Sequence, residues 1–340
     1  MARKFIIHIG PAKTGTSSLQ EVLFACRDQL LAAGMDYPGF GRHPQMQKIP
    51  GHHGIPARLR GHGEMPEEVL EHLAALPRDR TFILSSEDFS YVETAGIRVL
   101  AEALEGAEIE VVYYARRWDQ LLPSIWQELV KHGQSRPYLE FLNRQTSAPR
   151  ASFYLNYAVP LDRWSEVLGR ERIRVFSYDN IRAGGGDIVG HFCETVLGLA
   201  LRRDETRQDN RRQSASLTET LRMLNQLALG SGPPVPRVRF ALTRARAEIE
   251  DELAALEAIH AGHVGEALPC APMVFREVER TFLKTYAGQL ENPAAEGRLF
   301  EERPFEPAPF VRPDYLFETG ALKIYRDILQ KIGERAADAA

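Results

Sequence analysis

FIIHIGPAKTGTSS, residues 5–18, is an apolar run that breaks at a Gly-Pro pair and resumes as a hydroxyl-rich helix start. Phe5, Ile6, Ile7 and Ile9 suit a buried strand, and after Ser17 and Ser18 the residues Leu19, Val22, Leu23, Cys26 and Leu30 recur at helical spacing. A strand, a turn bounded by Gly10 and Gly15 and a helix start together form an anion cradle. Successive backbone N–H groups and the positive end of the helix dipole converge there, and the glycines let the backbone approach the ligand closely. Gly-Pro and Thr-Gly pairs are also ordinary loop punctuation, so the case rests on the lysine, the hydroxyl cluster and the flanking elements together.

The order of residues separates one cradle from another. A nucleotide triphosphatase loop carries Lys directly after its second Gly, where it reaches the β- and γ-phosphates. Thr16 stands at that position here, and Lys13 precedes Gly15 by two residues. The cation is aimed at a different point of the bound anion. That same order counts against a kinase, the next enzyme class in view, which the strand end Thr81–Asp88 (TFILSSED) would otherwise suit. A nucleotide-binding module without catalysis also stays open.

Strands and helices alternate up to about residue 200. Further strands are expected at Thr81–Ser85, Glu110–Ala115 and Arg172–Phe176, with helices at Glu67–Leu76, Gly96–Leu104 and Ile188–Leu197. This alternation predicts an α/β fold, a mostly parallel central sheet flanked by helices, with ligands at the carboxyl ends of the strands. Residues 1–205 are read as that core, with a long loop at 37–66, and residues 206–340 as a helical C-terminal extension packed on it. Helical patterns there run over Leu217–Leu229, Ala245–His260, Phe275–Tyr286 and Gly320–Ile332, and the Pro-rich segment Arg303–Pro313 reads as a surface tether.

Composition fits an ordinary enzyme: 340 residues, 44% hydrophobic and 26% charged. A formal net charge of −4 argues against broad nucleic-acid affinity. Cys26, Cys193 and Cys270 are odd in number and far apart, which suggests neither a disulfide framework nor a zinc cluster. The first strand begins a few residues after Met1 and no apolar run approaches membrane-spanning length, so a cytoplasmic location is the expectation.

The lysine-bearing loop, Lys13-Thr14-Gly15-Thr16-Ser17-Ser18, resembles the 5′-phosphosulfate loop of sulfotransferases of bacterial type that use 3′-phosphoadenosine 5′-phosphosulfate (PAPS). The resemblance spans roughly residues 4–200 and implies a P-loop-like sulfotransferase fold, PAPS as co-substrate, 3′,5′-adenosine bisphosphate (PAP) as product, and no metal. Lys13 would stabilise charge on the oxygen that bridges sulfur and phosphorus, while Thr14, Gly15, Thr16, Ser17 and Ser18 hold the other oxygens. Arg116 followed eight positions later by Ser124 is similar to the family's 3′-phosphate element, although Arg117-Trp118 departs from the family's usual pair. Pro123 is expected in the first turn of a helix over Ile125–Val130, which would place Ser124 among free N–H donors. Tyr178, after the strand at 172–176, would border the adenine, and Arg211 or Arg212 in the Arg-rich stretch would reach a phosphate or an anionic acceptor.

The loop at 37–66 contains His43, His52, His53 and His62, without the cysteines or spaced carboxylates of a metal site. In related bacterial sulfotransferases a His-bearing loop leans over the acceptor, which makes His52 or His53 candidate substrate contacts. A hydroxyl acceptor needs a proton acceptor opposite the leaving phosphate. Glu87, in Ser85-Ser86-Glu87-Asp88, is the expected base, matching sulfotransferases that act on saccharides; His53 is the alternative and would point to a phenol. The implied acceptor is a carbohydrate or glycolipid hydroxyl. Trp118, Trp126, Tyr91 and Tyr154 are aromatics that would suit stacking on a sugar ring, but each is read first as core.

Overall fold

The computed structural model describes residues 3–42, 50–61, 64–201, 213–229, 236–318 and 320–338. In chain order the elements are β1 (Lys4–His8), α1 (Thr16–Ala25), α2 (Arg27–Ala32), β2 (Met35–Asp36), α3 (Gly54–Gly61), α4 (Glu67–Ala75), β3 (Thr81–Ser85), α5 (Thr94–Ala103), β4 (Glu108–Ala115), α6 (Trp118–Lys131), α7 (Tyr138–Thr146), α8 (Ala158–Leu168), β5 (Ile173–Ser177), α9 (Tyr178–Ala183) and α10 (Ile188–His191). They continue as α11 (Ala215–Ala228), α12 (Pro236–Arg244), α13 (Glu250–Ala261), β6 (Val264–Ala267), α14 (Pro272–Tyr286), β7 (Ala308–Val311), α15 (Tyr315–Glu318) and α16 (Ala321–Asp338).

Five strands form one sheet in the order β2-β3-β1-β4-β5, every pair parallel. The expected α/β architecture is therefore present, with β1 at the centre. Alternation along β1 explains why it is central: both of its faces are apolar, as a strand covered by helices on either side requires. Ile6 joins Leu19, Leu23, Ile83, Val112, Phe176, Val189 and Phe192 in one buried cluster, which sets α1 and α10 on that face. Phe5, Ile7, Phe82 and Leu84 are buried as well and point the other way.

The chain divides into two compact units, one of Met1–Arg117, Pro149–Gln208 and Phe275–Arg303, the other of Trp118–Ala148, Asp209–Val274 and Pro304–Ala340. A single cut near residue 205 does not describe this. The chain leaves the sheet unit after β4 to build α6 and α7, rejoins it at Pro149 for α8 and β5, and after a second excursion returns to it over Phe275–Arg303. In the helical unit, α11 carries a buried pair: Arg222 donates to Glu219 at 2.6 and 2.7 Å, and the Tyr315 hydroxyl donates to the same carboxylate at 2.9 Å. The Pro-rich segment corrects another expectation. Instead of a tether it contains β7, paired antiparallel with β6 from Val264↔Val311 to Ala267↔Ala308. Pro309 fits because a two-stranded ribbon asks fewer donors of each strand, and Ala308, Phe310 and Val311 supply the buried side.

The long loop is also less irregular than expected, since it contains α3. No helix among the described residues is long and apolar enough to cross a membrane.

The returning segment seals the β5 edge. Glu291 N–H donates to the Val175 carbonyl at 2.9 Å, and Asn292 clasps Ser177, accepting from its N–H at 2.6 Å and donating to its carbonyl at 3.1 Å. A side-chain amide thus replaces a neighbouring strand at an otherwise open edge. Asn292→Ala leaves the buried Ser177 N–H unpaired and is expected to lower stability by about 2 kcal/mol, read as a shifted urea midpoint with unchanged slope.

Candidate active site

Because the sheet is parallel, the residues after β1, β3, β4 and β5 all emerge at one edge. The connection after β1 runs from Ile9 to Gly15 before α1 begins. The ladder continues past β1, with Ile9 N–H on the Val112 carbonyl at 3.0 Å, Ser86 N–H on the His8 carbonyl at 3.1 Å and Tyr114 N–H on the Gly10 carbonyl at 3.0 Å. Gly10 has φ of 96°, and a Cβ added there would stand 3.0 Å from the Glu87 Cα. Only glycine meets both conditions, so this close approach sets Glu87 against the base of the turn. Gly15, at φ 85°, caps α1, and a Cβ there would lie 2.8 Å from Ile188.

Between the glycines, Lys13 adopts φ of 72°, a left-handed conformation that a side chain adopts at a cost of about 1–3 kcal/mol. Thr14 and Thr16 hold this turn from inside: both hydroxyls donate to the Pro11 carbonyl, at 2.7 and 3.4 Å. Their side chains therefore brace the loop, and what these residues can offer an anion is backbone N–H. Leu19 N–H to the Gly15 carbonyl is the first bond of α1, and Gly15 has no side-chain cap. The N–H groups of Thr16, Ser17 and Ser18 thus precede the helical ladder, where an anion is favoured. Ser17 is exposed and Ser18 half-buried at this mouth.

Arg116 and Arg117 divide their work cleanly. Arg116 donates to the Lys13 carbonyl and lies over the Tyr178 ring, 5.5 Å from its centroid, so it joins the β1 turn to the residue after β5. Arg117 is buried and structural: its N–H donates to Asp179, whose carboxylate also receives Arg303 at 3.3 Å, and its guanidinium donates to the Arg303 carbonyl at 2.8 Å. Of the two arginines, Arg116 is the one that meets the β1 turn. Ser124 belongs to the helical unit and is not at a helix start. α6 begins at Trp118, Pro123 lies inside it, and the Ser124 hydroxyl donates back to the Gln120 carbonyl at 2.8 Å. Arg211 and Arg212, like His43 and His62, lie outside the described residues.

At the end of β3, Ser85 is the hub. Its hydroxyl meets His8 at 2.9 Å, its carbonyl accepts His52 N–H at 2.8 Å, and its N–H donates to His52 Nδ1 at 3.1 Å. His52 Nε2–H donates to the Pro38 carbonyl at 3.0 Å. Fully buried and using both nitrogens on backbone, His52 pins the loop to β3 and is no substrate contact. His53 is different. Its Nδ1 lies 2.8 Å from the Ser86 hydroxyl and 3.3 Å from Asp88, and Asp88 in turn meets Arg60 at 3.5 Å. Burial pulls the His53 imidazole down, but the hydrogen bond to Asp88 and the charges of Glu87 and Asp88 leave it raised overall.

Glu87 is half-buried, and Gln20, reaching over from α1, donates to its carboxylate at 3.4 Å. Glu87 and the Lys13 turn are therefore brought to one edge of the sheet, with His53 next in line through Ser86. Gln20 is a residue the sequence did not single out. It lies on the buried stripe of α1, and a polar residue in that stripe is the only signal it gives. Of the four aromatics, Trp118 and Trp126 are buried, and Tyr91 and Tyr154 are half-buried, with Tyr91 stacked on Phe153 at 4.5 Å.

No family model matches the chain, and no curated protein does. Among solved structures, a sulfotransferase from Alicyclobacillus acidocaldarius is similar at 16% identity and a TM-score of 0.39, covering 69% of this chain and 98% of its own.

His52 gives the site region a pH dependence of defined sign. Burial holds its pKa at about 4, below the unfolded value of about 6.5. The folded state therefore resists a proton that the unfolded chain accepts. The stability this represents is full above about pH 6.5 and is lost as pH falls toward about 4, by about 2 kcal/mol at about pH 5. Urea denaturation at neutral pH and at about pH 5 should show wild type losing about 2 kcal/mol more than His52→Gln; equal losses would remove His52 as the titrating clasp.

Proposed function

We propose that this protein is a sulfotransferase that moves the sulfuryl group of PAPS to a hydroxyl of a carbohydrate or glycolipid, releasing PAP. The observation that carries the reading is the construction of the β1 turn: a lysine held at positive φ between two glycines, its carbonyl gripped by Arg116, with Glu87 packed on the first glycine. A cation, a row of N–H groups at a helix start and a carboxylate then face one reacting centre.

In this reading the acceptor oxygen forms a bond to sulfur as the bond from sulfur to the bridging phosphate oxygen breaks. Glu87 takes the acceptor's proton, and Lys13 meets the charge that grows on the departing oxygen. N–H groups of Thr14 to Ser18 hold the remaining 5′-phosphosulfate oxygens. Arg116 takes the 3′-phosphate, and the Tyr178 ring beneath it borders the adenine. Gln20 orients the Glu87 carboxylate. Glu87 is favoured over His53 as the base because His53 spends Nδ1 on Ser86 and Asp88 and its ring is almost wholly covered, whereas Glu87 is half-open beside the turn.

Sulfur-labelled PAPS supplied with saccharide, glycolipid and phenolic acceptors tests this directly. Label should pass to a saccharide or glycolipid hydroxyl; transfer of a labelled phosphoryl group from ATP instead would put a kinase in its place. Lys13→Ala should lower kcat by about a hundredfold or more, the effect of removing one transition-state donor. Glu87→Gln should keep PAP affinity and lose turnover. Turnover that survives Glu87→Gln but not His53→Ala would make the histidine the base and a phenol the better acceptor.

A further inference from the structure

α12 carries a surface that the transfer chemistry does not use. Residues 220–247 contain five arginines and no Asp or Glu, in a chain with 46 acidic residues. Arg222 is spent on the buried Glu219 pair. In the helical unit α12 packs against α11 and α16 and buries Val238 and Leu242, and Ala245 directly after it is buried too. Successive residues turn by about 100° around a helix, so Arg239, Phe240, Thr243 and Arg244 share the opposite face, and all four are exposed. Arg246 follows on the next turn and is also exposed, and among the described residues none of these three arginines has an ion pair. Phe240 is 64% exposed in their midst.

We propose that this face docks the protein on an anionic lipid surface, the arginines over the headgroups and Phe240 inserted at the headgroup–acyl boundary. The charge is complementary to such a surface, and the exposed aromatic distinguishes it from a purely electrostatic contact. A long polyanion fits less well, because it offers the exposed Phe240 ring no acyl layer to enter. Leu229, directly after α11, is a second exposed apolar residue of the helical unit, at 60%. The sequence turns acidic two residues after Arg246, with Glu248, Glu250, Asp251 and Glu252. The helix spends its own apolar stripe on the protein, so the contact is peripheral and weak.

Co-sedimentation of the full chain with vesicles tests it, using phosphatidylcholine alone and an equimolar mixture with phosphatidylglycerol. Binding should appear only with the anionic vesicles and fade at high salt. An arginine near such a surface is worth about fivefold in affinity, so Arg239→Gln, Arg244→Gln and Arg246→Gln together should weaken binding about a hundredfold. Phe240→Ala should weaken it severalfold at unchanged salt sensitivity, and a thermal melt matching wild type shows that each variant is folded. Equal binding to neutral vesicles, none to either, or no effect of these substitutions in folded protein would overturn the proposal. So would retention on heparin through the same arginines without vesicle binding.

Discussion

Everything at the candidate site depends on how closely one turn of backbone can lie against another. Gly10 brings the β1 turn against the Glu87 main chain, where a Cβ would press on that backbone at a φ that side chains rarely adopt. From this contact follow the position of Glu87, the reach of Gln20 from α1 and the left-handed bend that presents Lys13. Strain in that bend is held by buried hydroxyls and by an arginine on its carbonyl, so the fold opposes relaxation at the point where an anion would be gripped.

Neighbouring residues of the same type have separate duties, and burial decides which. Arg116 faces the turn, while Arg117 closes the core with Asp179 and Arg303. His52 is a neutral clasp between two segments, while His53 is tied to a carboxylate and kept easier to protonate. In each pair one member ties together segments of the fold, Arg117 on Arg303 and His52 on Ser85 and Pro38, while its neighbour turns to the β1 turn or to the carboxylates after β3. Such pairs let a short motif be both anchored and chemically available.

The sequence carried the sheet and the cradle well, because β1, β3, β4 and β5 are apolar runs with clear ends and the glycine spacing of the turn is local. It hid what depends on distant partners. α3 follows a stretch rich in Gly, Pro and His, whose composition reads as loop, yet Ile55 and Leu59 find buried places once His52 pins the chain to β3. β7 was masked by its proline and by the prolines around it, and its partner β6 precedes it by some forty residues. Pro123 suggested a helix start, but α6 begins a turn earlier, where Asp119 accepts the Glu306 N–H from far along the chain. The interleaving of two compact units is likewise a matter of long-range packing that hydrophobic period does not encode.

The central claim is that the β1 turn and Arg116 together select an adenosine nucleotide carrying both a 5′-anion and a 3′-phosphate. Calorimetric titration of the intact protein with PAP, ADP and ATP with Mg²⁺ examines it most directly. The account predicts that PAP binds about ten- to several hundredfold more tightly than ADP, the worth of one phosphate held by charge-assisted hydrogen bonds, and that Arg116→Ala removes most of that difference. ATP with Mg²⁺ binding as tightly as PAP, or more tightly, would contradict it.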